Sequence, residues 1–247
     1  MYMTLNDLTE LDIYRAIFTS IFVIISLIVG IKIILKYFKF KNKELITIGL
    51  AWILISSSYW SLTISFVTII LFNYSLEPIL YIFFFHVFLI PGLICWIYSF
   101  TILAYPQYKR NIYYPYLIFC VVYEIFYLIF LFVDYNLIAV YEGGFIYRRT
   151  MFSILFLIVG IFTVLITGIL FGVKSLKSED LRIKWKGRFF ILAMFSYVIG
   201  GALDIFSAGN LTLQVINRLI LISSAIEYYL GFFLPDWLAN ILIKNQV

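Results

Sequence analysis

Five ionisable side chains stand inside otherwise apolar stretches of this chain: His86, Glu124, Asp204, Arg218 and Glu227. A charge at the centre of a membrane-inserted helix costs about 3 kcal/mol on insertion scales, so each of the five needs a partner or a task. Asp204 and Arg218 each lie seven residues from Leu211, in the connection between the last two apolar stretches. They are expected at equal depth, as an ion pair across that hairpin that clamps the fold without a ligand. His86 is the only histidine, which excludes a His-rich metal site and a bis-histidine haem site. An interior imidazole hydrogen-bonded to Tyr or Ser is expected. The alternative is a ligand-contacting or pH-sensitive group in an outer cavity shared with Asp204 and Arg218. Glu124, near the middle of its stretch, and Glu227, beside Ser223 and Ser224, are expected as interhelical hydrogen-bonding acids, with a proton relay as the alternative. At about 100° per residue, Glu227 points nearly opposite to Arg218, so the two do not line one cavity as partners.

Familiar catalytic patterns are missing. The sequence has no glycine-rich phosphate loop, no His-Glu-x-x-His, no CxxC and no nucleophile elbow, which argues against hydrolysis and phosphoryl transfer. No catalytic residue, metal or cofactor is predicted. The last apolar stretch has no lysine between Leu213 and Pro235, so a retinal Schiff base cannot form there. A transporter of two inverted three-helix repeats would show matching proline or glycine breaks in its halves; Pro91 interrupts the third stretch, and the last three have no interior proline. Cys95 and Cys120 fall at different depths in consecutive stretches, and burial as small hydrophobes is expected, without a disulfide.

These residues must be held by helices in lipid. Of 247 residues, 64% are hydrophobic and 13% charged, whereas a soluble domain carries roughly twice that charged fraction. Seven apolar runs, approximately 13–36, 45–72, 79–105, 112–133, 151–173, 189–207 and 213–235, are long enough to cross a hydrocarbon core of about 30 Å. They lack the period-2 alternation of a barrel strand. The expectation is an all-α seven-transmembrane bundle forming one domain over 1–247, with helices near 12–37, 45–73, 78–106, 112–134, 151–176, 179–208 and 212–235. The N-terminal stretch holds Asp7, Glu10 and Asp12 and no basic cluster, unlike a cleavable signal peptide.

Fourteen of the 18 basic residues fall in loops one, three and five, at their flanking helix ends, or in the C-terminal tail. The positive-inside rule therefore puts the N-terminus outside and the C-terminus in the cytoplasm. The net charge of +5 reflects this topology and not a nucleic-acid surface. Tyr105, Tyr108, Tyr113, Trp185 and Trp237 suit the inner aromatic belt, and Tyr74, Tyr135 and Tyr147 the outer one.

Two loops are long or charged enough for more than turning. In 134–150, two β-prone runs flank Gly143 and Gly144, predicting a hairpin that could lid an outward-facing pocket, or simply connect. The stretch 174–188 holds Lys174, Lys177, Arg182, Lys184, Lys186 and Arg188, with Ser178 placed to cap a helix starting near Glu179. Besides setting topology, this arm is a candidate face for anionic lipid or an acidic partner. Pro91-Gly92 should kink the third helix near its centre, and Gly168 and Gly172 in the fifth helix and Ser196, Gly200 and Gly201 in the sixth should let backbones approach. Tyr197, Gly200, Gly201 and Asp204 share one face of the sixth helix and are expected to line an interior. Tyr59 and Trp60 are expected to pack.

The basic loop around Lys39 to Lys43, Trp60, Pro91 with Trp96, and Phe-Leu-Pro-Asp-Trp at 233–237 resemble the seven-helix sensor module that precedes the kinase part of many prokaryotic membrane histidine kinases. The resemblance covers the first three spans and the last, through short motifs. It implies a sensing role. Such proteins continue into a signalling domain, whereas this chain ends ten residues after Trp237, so the output is expected to pass to a separate cytoplasmic signalling protein. The leading expectation is a non-enzymatic receptor-like protein with an outer cavity under the hairpin, at His86, Tyr197, Asp204 and Arg218, and a partner-binding cytoplasmic face formed by loops one and five. A proton-linked transporter using Glu124 and Glu227, and a membrane enzyme acting on a lipid or isoprenoid, are the alternatives.

Overall fold

A computed structural model describes residues 3–143, 145–206 and 210–244, with the side chains of residues 146, 204–206, 211 and 244 outside that description. Among the described residues, seven helices are long and apolar enough to cross a membrane: Glu10–Phe40, Glu44–Phe72, Pro78–Ala104, Pro106–Val133, Met151–Leu176, Leu181–Leu203 and Thr212–Phe232. The protein is a multi-pass, all-α membrane bundle.

The first span is the unbroken helix α1 (Glu10–Phe40), started by a capping box in which Thr9 Oγ1 accepts from the Asp12 N–H and Asp12 returns a bond to the Thr9 N–H, both at 3.2 Å. The second span is two helices, α2 (Glu44–Ile55) and α3 (Trp60–Phe72), joined by a 3₁₀ turn at Ser56–Tyr59. Serine hydroxyls compete for the backbone carbonyls that a continuous α-helix needs. Here Ser56 Oγ donates to the Ile53 carbonyl at 2.7 Å. The third span is also broken, into α4 (Pro78–His86) and α5 (Leu89–Ala104). Its break falls at Val87 and Phe88, not at Pro91 itself, because the pyrrolidine ring collides with the carbonyl four residues earlier. Pro91 then sits in the first turn of α5, where it is tolerated.

α6 (Lys109–Val133) leads into the hairpin of β1 (Ala139–Gly143) and β2 (Ile146–Arg149), whose register pairs Ala139 with Arg149 and Tyr141 with Tyr147. α7 (Met151–Leu176), α8 (Leu181–Phe206) and α9 (Leu211–Phe232) complete the spans, and α10 (Asp236–Lys244) follows. α8 begins at Leu181 and not near Glu179. Asp180 is the side chain that caps it, accepting from the Arg182 N–H at 2.7 Å, while Ser178 only holds the turn before through the Asp180 N–H at 3.3 Å.

α1 packs on α2 and α9, α2 on α5, α5 on α7, α7 on α8, and α8 on α9. These contacts close a ring of six spans. α6 lies outside it, against α5 and, through Tyr123 and Phe130, against Phe152 and Phe156 of α7. Large aromatics fill the ring. Trp52 stacks on Tyr228 at 4.1 Å, Trp96 lies parallel to Phe190 at 6.0 Å, and Trp96 donates its indole N–H to Thr167 Oγ1 at 2.7 Å. Lipid supplies no acceptor for an indole N–H, and at Trp96 the protein provides one. Cys95 and Cys120 are free thiols.

Candidate functional site

α7 and α8 touch backbone to backbone near the cytoplasmic end, where a Cβ on Gly187 would stand 2.8 Å from the Gly172 carbonyl oxygen. Towards the outer end they leave space between them. Gly201 has nothing within 4 Å of the position its Cβ would take, and Gly160 faces only the Leu93 side chain. A cavity of about 60 Å³ opens there, lined by Tyr59, Tyr197, Ser58, Arg149, Gly160 and Gly201 among apolar neighbours. The breaks in the second and third spans both border it, through Ser58 and Tyr59 on one side and Leu89 on the other.

Arg218 is buried, with its guanidinium carbon 5.0 Å from the centre of the Tyr59 ring. Cation–π attraction is strongest when water is excluded, as it is here. Tyr197 donates its hydroxyl to the Ile55 carbonyl at 3.4 Å and packs against Trp52 at 5.7 Å. Arg149, from the base of the hairpin, lies over Phe85 at 4.3 Å and also lines the cavity. The Asp204 side chain lies outside the described residues.

The structure does not bring His86 into this cavity. His86 ends α4 fully buried, its ring stacked on Tyr127 at 5.0 Å and flanked by Tyr123 at 5.6 Å and Phe156 at 5.4 Å. The expected hydrogen bond to Tyr or Ser is not made: neither ring nitrogen has a partner among the described residues, and the Tyr127 hydroxyl donates to the Ile82 carbonyl at 2.6 Å instead. The Tyr127 ring lies nearly parallel to the imidazole, while Tyr123 is tilted by 51° and Phe156 stands edge-on at 60°.

Glu124 and Glu227 are not brought together. Glu124 is on α6, outside the ring, whereas Glu227 is on α9 and accepts from Ser223 of its own helix at 2.6 Å. The bond at Glu227 is thus within one helix, because residues four apart share a face. Trp60 and Tyr59 both pack as expected, on Phe88 at 5.4 Å and on Phe22 at 5.1 Å, and Tyr59 also lines the cavity.

The basic arm divides. Lys174 donates to the Ala104 carbonyl at the end of α5, and Arg182 donates to the Leu234 carbonyl at 2.7 Å and to Asp236 at 2.6 Å. Both satisfy helix ends. Lys177 and Arg188 are exposed, and Lys184 and Lys186 half-buried, which leaves four of the six at the surface for lipid or a partner.

The hairpin is formed and covers a second chamber, of about 290 Å³, lined by Tyr81, Tyr135, Tyr141, Tyr147 and Glu77 among others. None of the sequence-derived cavity residues lines it. Burial holds the Tyr147 phenol above its ordinary range, so the ring remains neutral. The hairpin is also structural: Ile138, Ala139 and Phe145 are buried, and Ser153 donates to the Ile138 carbonyl at 2.9 Å. It is therefore not a detachable lid.

Sequence reading missed Arg149, Glu77 and the tyrosine cluster. Tyr141 and Tyr147 had a legible signal, since strand partners across a short hairpin share a face. No protein-family model matches this chain, and no curated protein matches it in sequence.

Proposed function

We propose that this chain is a non-enzymatic seven-helix sensor that relays an external or membrane signal to a separate cytoplasmic protein. The observation that carries this reading is the placement of the cavity between α7 and α8 beside two helix breaks, with α8 running from it to the basic arm. A 3₁₀ stretch inside a helix often marks a hinge. From Tyr197, Trp52 and Tyr228 lead in ring contact to Phe232, 5.1 Å from Tyr228. Two residues further on, the Leu234 carbonyl holds Arg182 at the start of α8. A change in the cavity thus has a packed route to the face bearing Lys177, Lys184, Lys186 and Arg188. The resemblance of Trp60, Pro91 with Trp96, and 233–237 to histidine-kinase sensor modules supports the same reading. The separation of Glu124 from Glu227 weighs against a shared proton path.

Filling the cavity imitates an occupant. Gly201→Leu places its Cβ where nothing lies within 4 Å and sends the rest of its side chain into the cavity. It should alter hydrogen exchange in 174–188 and 233–237. Unchanged exchange at the cytoplasmic face would count against relay. In liposomes carrying a pH-sensitive dye, the protein should pass no protons; a flux lost in Glu124→Gln or Glu227→Gln would replace this reading with transport.

A further inference from the structure

α9 stops at Phe232, and Pro235, which has no backbone N–H to donate, stands before Asp236, so α10 is a separate helix and not a further turn of α9. We propose that α10 lies flat in the membrane interface and binds the anionic lipid leaflet at that end of the bundle through Trp237 and Ile241. At about 100° per residue, its side chains fall on four sides. Ala239 is 3% exposed and marks the side turned to the bundle, where α10 packs on α8. Trp237 and Ile241, 65% and 56% exposed, each stand two residues from Ala239, and so about 160° away from it. Asp236 and Asn240, both exposed, occupy one flank between these sides, and Leu238 and Leu242, both half-buried, occupy the other.

A helix lying in the interface beside a bundle has this order of sides: a polar flank to water, an apolar flank opposite it to hydrocarbon, and an indole at the level between them. Arg182 fixes the roll, donating to the Leu234 carbonyl at 2.7 Å and, on the polar flank, to Asp236 at 2.6 Å. Phe233 sets the depth, since its ring stacks with Phe40 at the end of α1 at 6.3 Å and lies 5.3 Å from the Lys36 ammonium. Phe38 and Phe40 are exposed at that end of the first span, so the apolar side of α10 continues a surface that lipid already covers. That side passes directly into the leucine flank, without the polar rim that borders a protein–protein patch. The basic residues Lys177, Lys184, Lys186 and Arg188 stand at the same end and suit anionic headgroups.

This placement does not depend on the sensing reading. A polar spin label is attached to Trp237→Cys, Asn240→Cys or Ile241→Cys in the full chain, in nanodiscs of phosphatidylcholine with phosphatidylglycerol. Cys95 and Cys120 lie within spans, and the unsubstituted chain measures their background labelling. Relaxation by dissolved oxygen, which concentrates in lipid, is compared with relaxation by a water-soluble nickel chelate. The oxygen-to-nickel ratio at positions 237 and 241 should exceed that at position 240 at least about threefold. Adding Trp237→Ser to the chain labelled at Ile241→Cys should move that label severalfold towards nickel, and so should omitting phosphatidylglycerol from the discs. The proposal is overturned by labels at 237 and 241 that are as open to nickel as the one at 240. It is equally overturned by an Ile241→Cys label indifferent to Trp237→Ser, or by one indifferent to phosphatidylglycerol. Spin–spin broadening at position 241 in liposomes that vanishes on dilution with unlabelled chain would make a second copy the occupant instead.

Discussion

Gly49→Leu is expected to destabilise the bundle by about 3 kcal/mol, at the upper end of the usual range for overpacking. α1 and α2 meet at Gly30 and Gly49. A Cβ on Gly49 would stand 2.6 Å from the Gly30 carbonyl oxygen and 2.5 Å from Ile34 Cγ1, and one on Gly30 would stand 2.9 Å from the Gly49 carbonyl oxygen. The isoleucine can turn aside, but the carbonyls belong to helix backbone and cannot. The two helices must separate, and with them the packing that small residues permit in lipid, where no hydrophobic force draws helices together. Unfolding by SDS titration in mild detergent measures the loss. Gly201→Leu is the matched control, since it adds the same side chain into open space; equal behaviour of the two variants would refute the close-approach account.

Truncation of Arg218 should cost about 3–5 kcal/mol, the range for removing one member of a buried ionic contact. The residue is 1% exposed and sits against Tyr59 in the bundle interior. The sequence register makes Asp204 its expected partner, seven residues from Leu211 on the opposite side. Three variants separate the contributions: Arg218→Met, Asp204→Asn, and the double change that combines the two. A clamp requires strong non-additivity, with the double variant recovering most of what each single change loses. If Asp204→Asn leaves the unfolding midpoint where it was, Asp204 is not the partner.

The candidate sites were legible only in part. Tyr197 and Gly201 were identified because their spacing puts them on one face of α8, and that face does line a cavity. His86 was misread because a buried polar ring is ordinarily expected to have a hydrogen-bond partner; the rings that enclose it come from residues 37 to 70 positions away, on α6 and α7. Pro91 signalled a break, but the ring's reach to the carbonyl four residues earlier moved it to Val87 and Phe88. The Ser56–Tyr59 turn passed unnoticed, since three serines are compatible with a continuous helix as well as with a broken one.

By itself the sequence determined the seven spans and the existence of the hairpin, and the positive-inside rule gave the spans an expected direction. Each of these rests on local physics: in lipid a segment must satisfy its own backbone, about 20 apolar residues suffice to cross, and short basic loops resist translocation. Only the tertiary structure decided that six spans form a ring with α6 outside, that α7 and α8 leave space between their outer halves, and that two chambers result. Those outcomes depend on which side chains meet across long separations, such as Tyr197 with Ile55, 142 residues apart, and Tyr81 with Phe145, 64 apart. Lipid-facing and interior apolar residues are nearly alike in composition, so hydropathy that marks a span plainly says little about its neighbours.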